Sequence, residues 1–246
     1  MSSGERSATR RRRFEKRVLS AQQQQEMYEQ NTMGATAGFV CAVVAAGLIG
    51  EPLSRSFTRF SYAETDDPVQ YRFGARDAAP VVLGACLFLF ARAYAYGRVL
   101  RPLAAWAVPS ADYARKQRLA GAMLCIAVQV ALVCAGVIMA APVLATGPAA
   151  AWKGYGQGVV GFAGKAAVIA VCAHQVAGMA ALAIETPAGY RSGMAKRLLA
   201  LCGVAGAGVL GALPVVGAAI AAAALRTLRS TWADCKASAE GAGAAG

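Results

Sequence analysis

Three ionisable side chains interrupt runs of otherwise apolar residues: Arg92 in VVLGACLFLFARAYAY, and Lys165 and His174 in GFAGKAAVIAVCAHQVAG. A charge in hydrocarbon is unfavourable by several kcal/mol unless it is paired, hydrated or able to reach the interface, so each is a candidate intramembrane functional group. Lys165 lies two turns inside its run and requires water or a carboxylate partner. His174 lies near the middle, where an imidazole serves as an interhelical hydrogen-bonding group or as a general base or proton carrier. The nine residues between them turn a helix through roughly 180° from one to the other, so they form no single cluster. Arg92 lies about one turn from the end of its run, from where a long side chain snorkels toward Arg98 and Arg101 at the interface.

Other chemistry finds few groups to work with. Six of the seven cysteines, Cys41, Cys86, Cys125, Cys134, Cys172 and Cys202, fall inside apolar runs and read as small packing residues; Cys235 lies outside. There is no CxxC pair and one histidine in the chain, so no metal site and no cofactor is expected. The glycine series GYGQGVVGFAGK, Gly154 to Lys165, departs from a phosphate-binding loop at Val159, where glycine is needed, and at Ala166, where Ser or Thr is needed. Gly154, Gly158, Gly161 and Gly164 instead read as a flat helix face for close approach of a neighbour. Gly203, Gly206, Gly208, Gly211 and Gly217 read the same way, and such faces offer a route to a membrane-protein partner or a homo-oligomer.

The elements carrying these residues are set by composition. With 57% hydrophobic and 15% charged residues and a mean hydropathy of +0.44, the 246-residue chain is expected to be an all-α, polytopic membrane bundle of about five transmembrane helices, within a range of four to six. Five runs approach the length needed: Met33–Gly50, Ala78–Tyr96, Leu119–Ala145, Gly158–Ile184 and Leu198–Leu225. Pro214 falls in the middle of the last, which makes a kinked or re-entrant helix the alternative there. The domain organisation is then a basic, Gln-rich disordered tail over 1–32, a transmembrane domain over 33–228 and a disordered C-terminal tail over 229–246.

The tail carries Arg10–Arg13, Lys16, Arg17 and the run Gln22–Gln25. It is too long and polar for a cleaved secretory signal, and Glu5, Glu15, Glu26 and Glu29 are too many acids for a mitochondrial presequence. An anionic cytoplasmic leaflet is its expected partner. Nucleic acid is not, because only Phe14 and Tyr28 are available to stack on bases. Placing the tail in the cytoplasm puts 15 Lys and Arg residues on that side and 8 on the other, the asymmetry the positive-inside rule favours; with five spans it puts the C-terminus across the membrane, and with a re-entrant or interfacial last segment it returns the C-terminus to the cytoplasm.

From Glu51 to Glu185 the order of features resembles the TRAM–LAG1–CLN8 (TLC) family, most of all fungal ceramide synthases. The resemblance is carried by EPLSRSFTRFSY, by Gly74 and Asp77 in a Gly-x-x-Asp before the next span, and by RAYAYGRVLRPLAAW, with Arg92 and the Leu100-Arg101-Pro102-Leu103 tetrad. YARKQRLAG then leads into the following span, and AVCAHQVAGMAALAIE ends at Glu185. Family members that make ceramide have a paired histidine soon after that glutamate; here the region is TPAGYRSGMAKRLLALC, without histidine, and His174 lies before the glutamate. No catalytic residue is carried over. The resemblance implies a shortened TLC-like protein of the endoplasmic reticulum, acting without catalysis as a lipid-associated or complex-forming subunit in sphingolipid metabolism. An active acyl-CoA-dependent sphingoid-base N-acyltransferase and a small transporter or channel are the alternatives.

Overall fold

The structure, a computed structural model, describes residues 27, 30–43, 45, 63–66, 69–109, 111–147, 159–185, 190–210 and 212–243. The basic run of the tail and the loop glycines Gly154 and Gly158 lie outside the described residues, whereas 30–32, expected in the tail, are already helical.

The chain is an all-α polytopic bundle, with five helices among the described residues long and apolar enough to cross a membrane. After a hairpin of β1 (Ala63–Asp66) and β2 (Val69–Arg72), a 3-10 turn at Ala75–Asp77 leads into α1 (Ala78–Tyr94). Pro80 falls in the first turn of α1, where its missing N–H removes no helical bond. The helix passes through a π-helical turn, Ala95–Leu100, into the short α2 (Arg101–Ala107), with Pro102 at its start. The next helix, α3 (Tyr113–Thr146), is capped by the Asp112 side chain, which accepts from the Arg115 N–H at 3.0 Å. It ends at Gly147, whose φ of 87° is a left-handed conformation that glycine adopts without strain. β3 (Val159–Gly161) precedes α4 (Phe162–Glu185), followed by α5 (Tyr190–Leu210) and α6 (Leu213–Gly243).

Among the described residues five helices reach spanning length, and the last expected run differs from expectation. The apolar run Leu198–Leu225 is two helices, α5 and α6, each apolar over a spanning length. Pro214 therefore stands in the first turn of α6 and not in the middle of a helix, which is where a proline stops one helix and starts another. Of the expected run Met33–Gly50, residues 33–43 and 45 are helical, and the rest lies outside the described residues. The C-terminal segment expected to be disordered from 229 continues as helix to Gly243. The glycine face expected on the fourth span also fails: Gly161 belongs to β3, the helix starts at Phe162, and a Cβ on Gly161 would meet open space.

β3 pairs antiparallel with β2, with Tyr71 opposite Val160, so the order β1-β2-β3 ties the start of α1 to the start of α4. Consequently α1 and α4 run parallel: Gly84 lies against Ala173, and the Phe88 ring meets His174 edge-on at 5.9 Å. α5 returns antiparallel to α4 and brings Gly208 beside Phe73 at the sheet end. α3 and α6 are also antiparallel, with Gly136 against Gly217 and Ala221 and, farther along, Cys125 Sγ 3.7 Å from Thr231 Oγ1. The five helices thus alternate, and α6 leads the C-terminal segment to the end opposite the sheet, the same end as the α2–α3 and α4–α5 connections. This corrects the expected placement of the C-terminus away from those basic loops.

The buried core, with Met139, Val168, Val171, Val204 and Leu213, sits toward the sheet end. Outward positions stay apolar, as at Val82, Leu87 and the 76% exposed Leu199. Exposed apolar residues on spanning helices are what a lipid-facing surface requires. Of the cysteines expected to pack, Cys172 is buried, but Cys41, Cys134 and Cys202 are exposed.

Candidate functional site

Gly74 N–H donates to Asp77 Oδ2 at 2.9 Å, while Asp77 N–H donates to the Gly74 carbonyl at 3.0 Å. This reciprocal pair fixes the carboxylate at the head of α1 and leaves Oδ1 directed toward α4. There Lys165, 0% exposed, places Nζ 2.9 Å from Asp77 Oδ1 and donates to the Arg72 carbonyl of β2 at 2.8 Å. The rings of Tyr71 and Phe73 lie 5.4 and 5.5 Å from the ammonium, within cation–π range. A carboxylate, a carbonyl and two aromatic rings together replace the water this lysine loses on burial. Lys165 thus has the carboxylate partner its sequence position requires, and that partner comes from the Gly-x-x-Asp segment.

The second group of polar residues lies deeper along α4. His174 packs edge-on against the Phe88 ring of α1. Arg197, from α5, donates through Nη1 to Gln175 Oε1 at 3.3 Å. Its guanidinium covers Gly178 so closely that a Cβ there would run into it. Arg92 stands one turn after Phe88 on α1. Arg101 lies over the Tyr96 ring at 5.5 Å, and the Tyr96 hydroxyl donates to the Gln117 carbonyl at 3.5 Å.

The chain matches no protein-family model and no curated protein.

As read from their spacing, Lys165 and His174 occupy separate sites. Of the other motif residues, Gly74 and Asp77 belong to the ion-pair site, whereas Leu100, Pro102 and Leu103 lie on the π-helical turn and α2 and join neither group. Glu185 closes α4, and its side chain lies outside the described residues. Arg197 was missed because it stands in a run of basic residues that reads as a loop. The pattern Gly178…Arg197, small residue against long cation across a short connection, is the signal that locates it. Among the described residues no three His, Cys, Asp or Glu side chains gather as a metal site would need.

Proposed function

We propose that this protein is a non-catalytic integral membrane subunit, lipid-associated or complex-forming, residing in the endoplasmic reticulum and acting in sphingolipid metabolism. The observation that carries the non-catalytic reading is the complete enclosure of Lys165, whose ammonium is held by Asp77, the Arg72 carbonyl and two rings. That arrangement fastens the sheet to the bundle. The contact shown for His174 among the described residues is the Phe88 ring, whereas a general base is usually oriented by a carboxylate. The sphingolipid assignment is supported by the TLC-like order of Gly74, Asp77, Arg92, the Leu100–Leu103 tetrad and Glu185.

The test is the full-length protein, purified in detergent and supplied with a sphingoid base and an acyl-CoA. The expected result is no ceramide. Ceramide formation lost in His174→Ala, at unchanged folding and expression, overturns the reading in favour of the N-acyltransferase.

The same proposal includes orientation. The segments 97–118, 185–197 and 226–243 carry eleven Lys and Arg and the segments 51–77 and 146–157 carry five, so the former are assigned to the cytoplasm. A glycosylation acceptor introduced near Asp66 is expected to be modified and one near Lys236 is not; the reverse pattern inverts the assignment.

A further inference from the structure

Where a spanning helix meets lipid its outward residues are apolar, so exposed large apolar side chains trace the depth of hydrocarbon beside each part of the bundle. On α1 and α2 they run from Val82 through Leu87, Tyr94, Val99 and Leu103 to Trp106, about 35 Å along the helix. The opposite tracts are much shorter. On α5 they run from Leu198 to Leu210, about 18 Å, and on α3 from Val130 to Leu144, about 21 Å. On α6 the last exposed aliphatic is Leu225, about 18 Å from the start of the helix at Leu213.

The three short tracts end at one level. α5 and α6 join at the sheet end between Leu210 and Leu213, and Leu198 and Leu225 stand equally far along their helices from that connection. The contacts of Gly136 with Ala221 and of Cys125 with Thr231 bring Val130 level with Arg226. Past this level the outward side chains are basic. Lys196 on α5 and Arg226 and Arg229 on α6 are exposed, and among the described residues no carboxylate pairs with them. The large side chains that α3 carries beyond Val130, such as Leu119, Met123, Leu124 and Ile126, are partly buried, so the apolar run of α3 continues there as packed surface. The sheet marks the other border, since Gly208 of α5 lies against Phe73, in a segment with the exposed Arg72 and Arg76.

A hydrocarbon core is about 30 Å thick. Tilting a rigid bundle shifts both borders of one side together, so it cannot give the same depth to two sides of unequal length. The bilayer itself has to change thickness around the protein. We propose that the α3, α5 and α6 side holds the adjoining bilayer to about 20 Å of hydrocarbon, and that the lipid it favours there is a phospholipid with short acyl chains. At such a border Lys196, Arg226 and Arg229 meet water directly, whereas a bilayer of ordinary thickness would place them in hydrocarbon. The inference goes beyond the sphingolipid reading and draws on none of it.

The experiment uses the full-length protein with its tryptophans, Trp106, Trp152 and Trp232, replaced by Phe and one reporter introduced. Leu199→Trp reports the short side and Leu87→Trp the long side, both at exposed positions. Each is reconstituted in mixed vesicles of phosphatidylcholines with 14-carbon and 22-carbon monounsaturated chains, one of the two brominated, and quenching of the reporter gives the local lipid composition. At Leu199→Trp the short chain is expected to be preferred roughly two- to fivefold, the size that a modest cost per ångström of mismatch gives. At Leu87→Trp that preference is expected to be absent or reversed. Adding Lys196→Leu, Arg226→Leu and Arg229→Leu, which extends the apolar face, is expected to abolish the preference at Leu199→Trp. Arg118→Leu, which removes an exposed charge of α3 well past the border, is expected to leave it unchanged. Should the triple variant fail to fold, Arg226→Leu alone carries that comparison. Snorkelling of Arg226 and Arg229 toward Trp232, the next exposed apolar residue on α6, relieves the mismatch without thinning and gives no preference at Leu199→Trp. That result overturns the proposal, as does an equal preference at both reporters or one that survives removal of the basic residues. Ceramide formation by the purified protein sinks the non-catalytic reading and leaves this measurement standing.

Discussion

Lys165 and Arg197 are both cations on apolar helices, yet the bundle treats them in opposite ways. Lys165 is sealed: a carboxylate neutralises it, a carbonyl accepts from it, and two rings close the shell. Arg197 is half-buried, donates to a neutral amide and rests over Gly178. Compensation within the chain produces a fastening, whereas Arg197 keeps part of its guanidinium at the surface. Position along the helix decides which is affordable, since a lysine packed among the strands and the head of α1 has no route to water and an arginine near the opposite end has one.

The largest expected effect breaks the sealed side of this comparison. Asp77→Ala strands a buried ammonium and is expected to destabilise the protein by about 3–5 kcal/mol. Adding Lys165→Met in the same chain should recover much of that loss, because the uncompensated charge is removed. Unfolding in detergent, run as a double-mutant cycle, checks both; equal stability of the single and double variants would mean the pair is not formed.

Next comes the glycine crossing of α3 and α6, which holds together the two helices that take no part in either polar group. A Cβ on Gly217 would lie 2.6 Å from Met139 Cβ and 2.7 Å from the Gly136 carbonyl oxygen. Gly217→Ala should therefore cost about 1–3 kcal/mol through forced separation. Gly203, whose Cβ would meet open space, is the matched control, and its alanine variant should be neutral or slightly stabilising. A thermal melt of the two variants side by side tests the difference.

The smallest effect belongs to His174. Removing its ring abolishes the edge contact with Phe88, worth about 0.5–1.5 kcal/mol, so His174→Ala should lower abundance modestly. A large stability loss would mean the imidazole makes a hydrogen bond that holds the bundle together. It would also move His174 from the open side of the comparison to the sealed side.

Much of this was legible in the chain. A lysine, a histidine and an arginine in apolar runs stand out because hydrocarbon has no use for them, and the helical bundle follows from the length of those runs. The pairing of Lys165 with Asp77 was not legible, since it depends on α1 and α4 running parallel, and that depends on a short β2–β3 pairing from strands of three or four residues. The boundary between α5 and α6 was hidden by uniform Ala and Gly content on both sides of it. Leu213-Pro214 was the one local mark, because proline at the start of a helix is common and proline inside one is not. Arg197 is not legible as a helical residue, because charge counting by segment gives no weight to which helix face a residue occupies.

The bond from Lys165 to the Arg72 carbonyl joins residues 93 positions apart, so during synthesis one half of the fastening waits for the other. At about 5–20 residues per second the interval is roughly 5–20 s. Through that time Asp77 stands at the head of α1, where an ionised carboxylate tolerates the interface. Lys165, arriving later within an apolar helix, finds its counter-ion already in place. A chain made in the reverse order would have to insert the lysine first and hold it unpaired, so the order of the gene supports the biogenesis of α4 as much as the final contacts do.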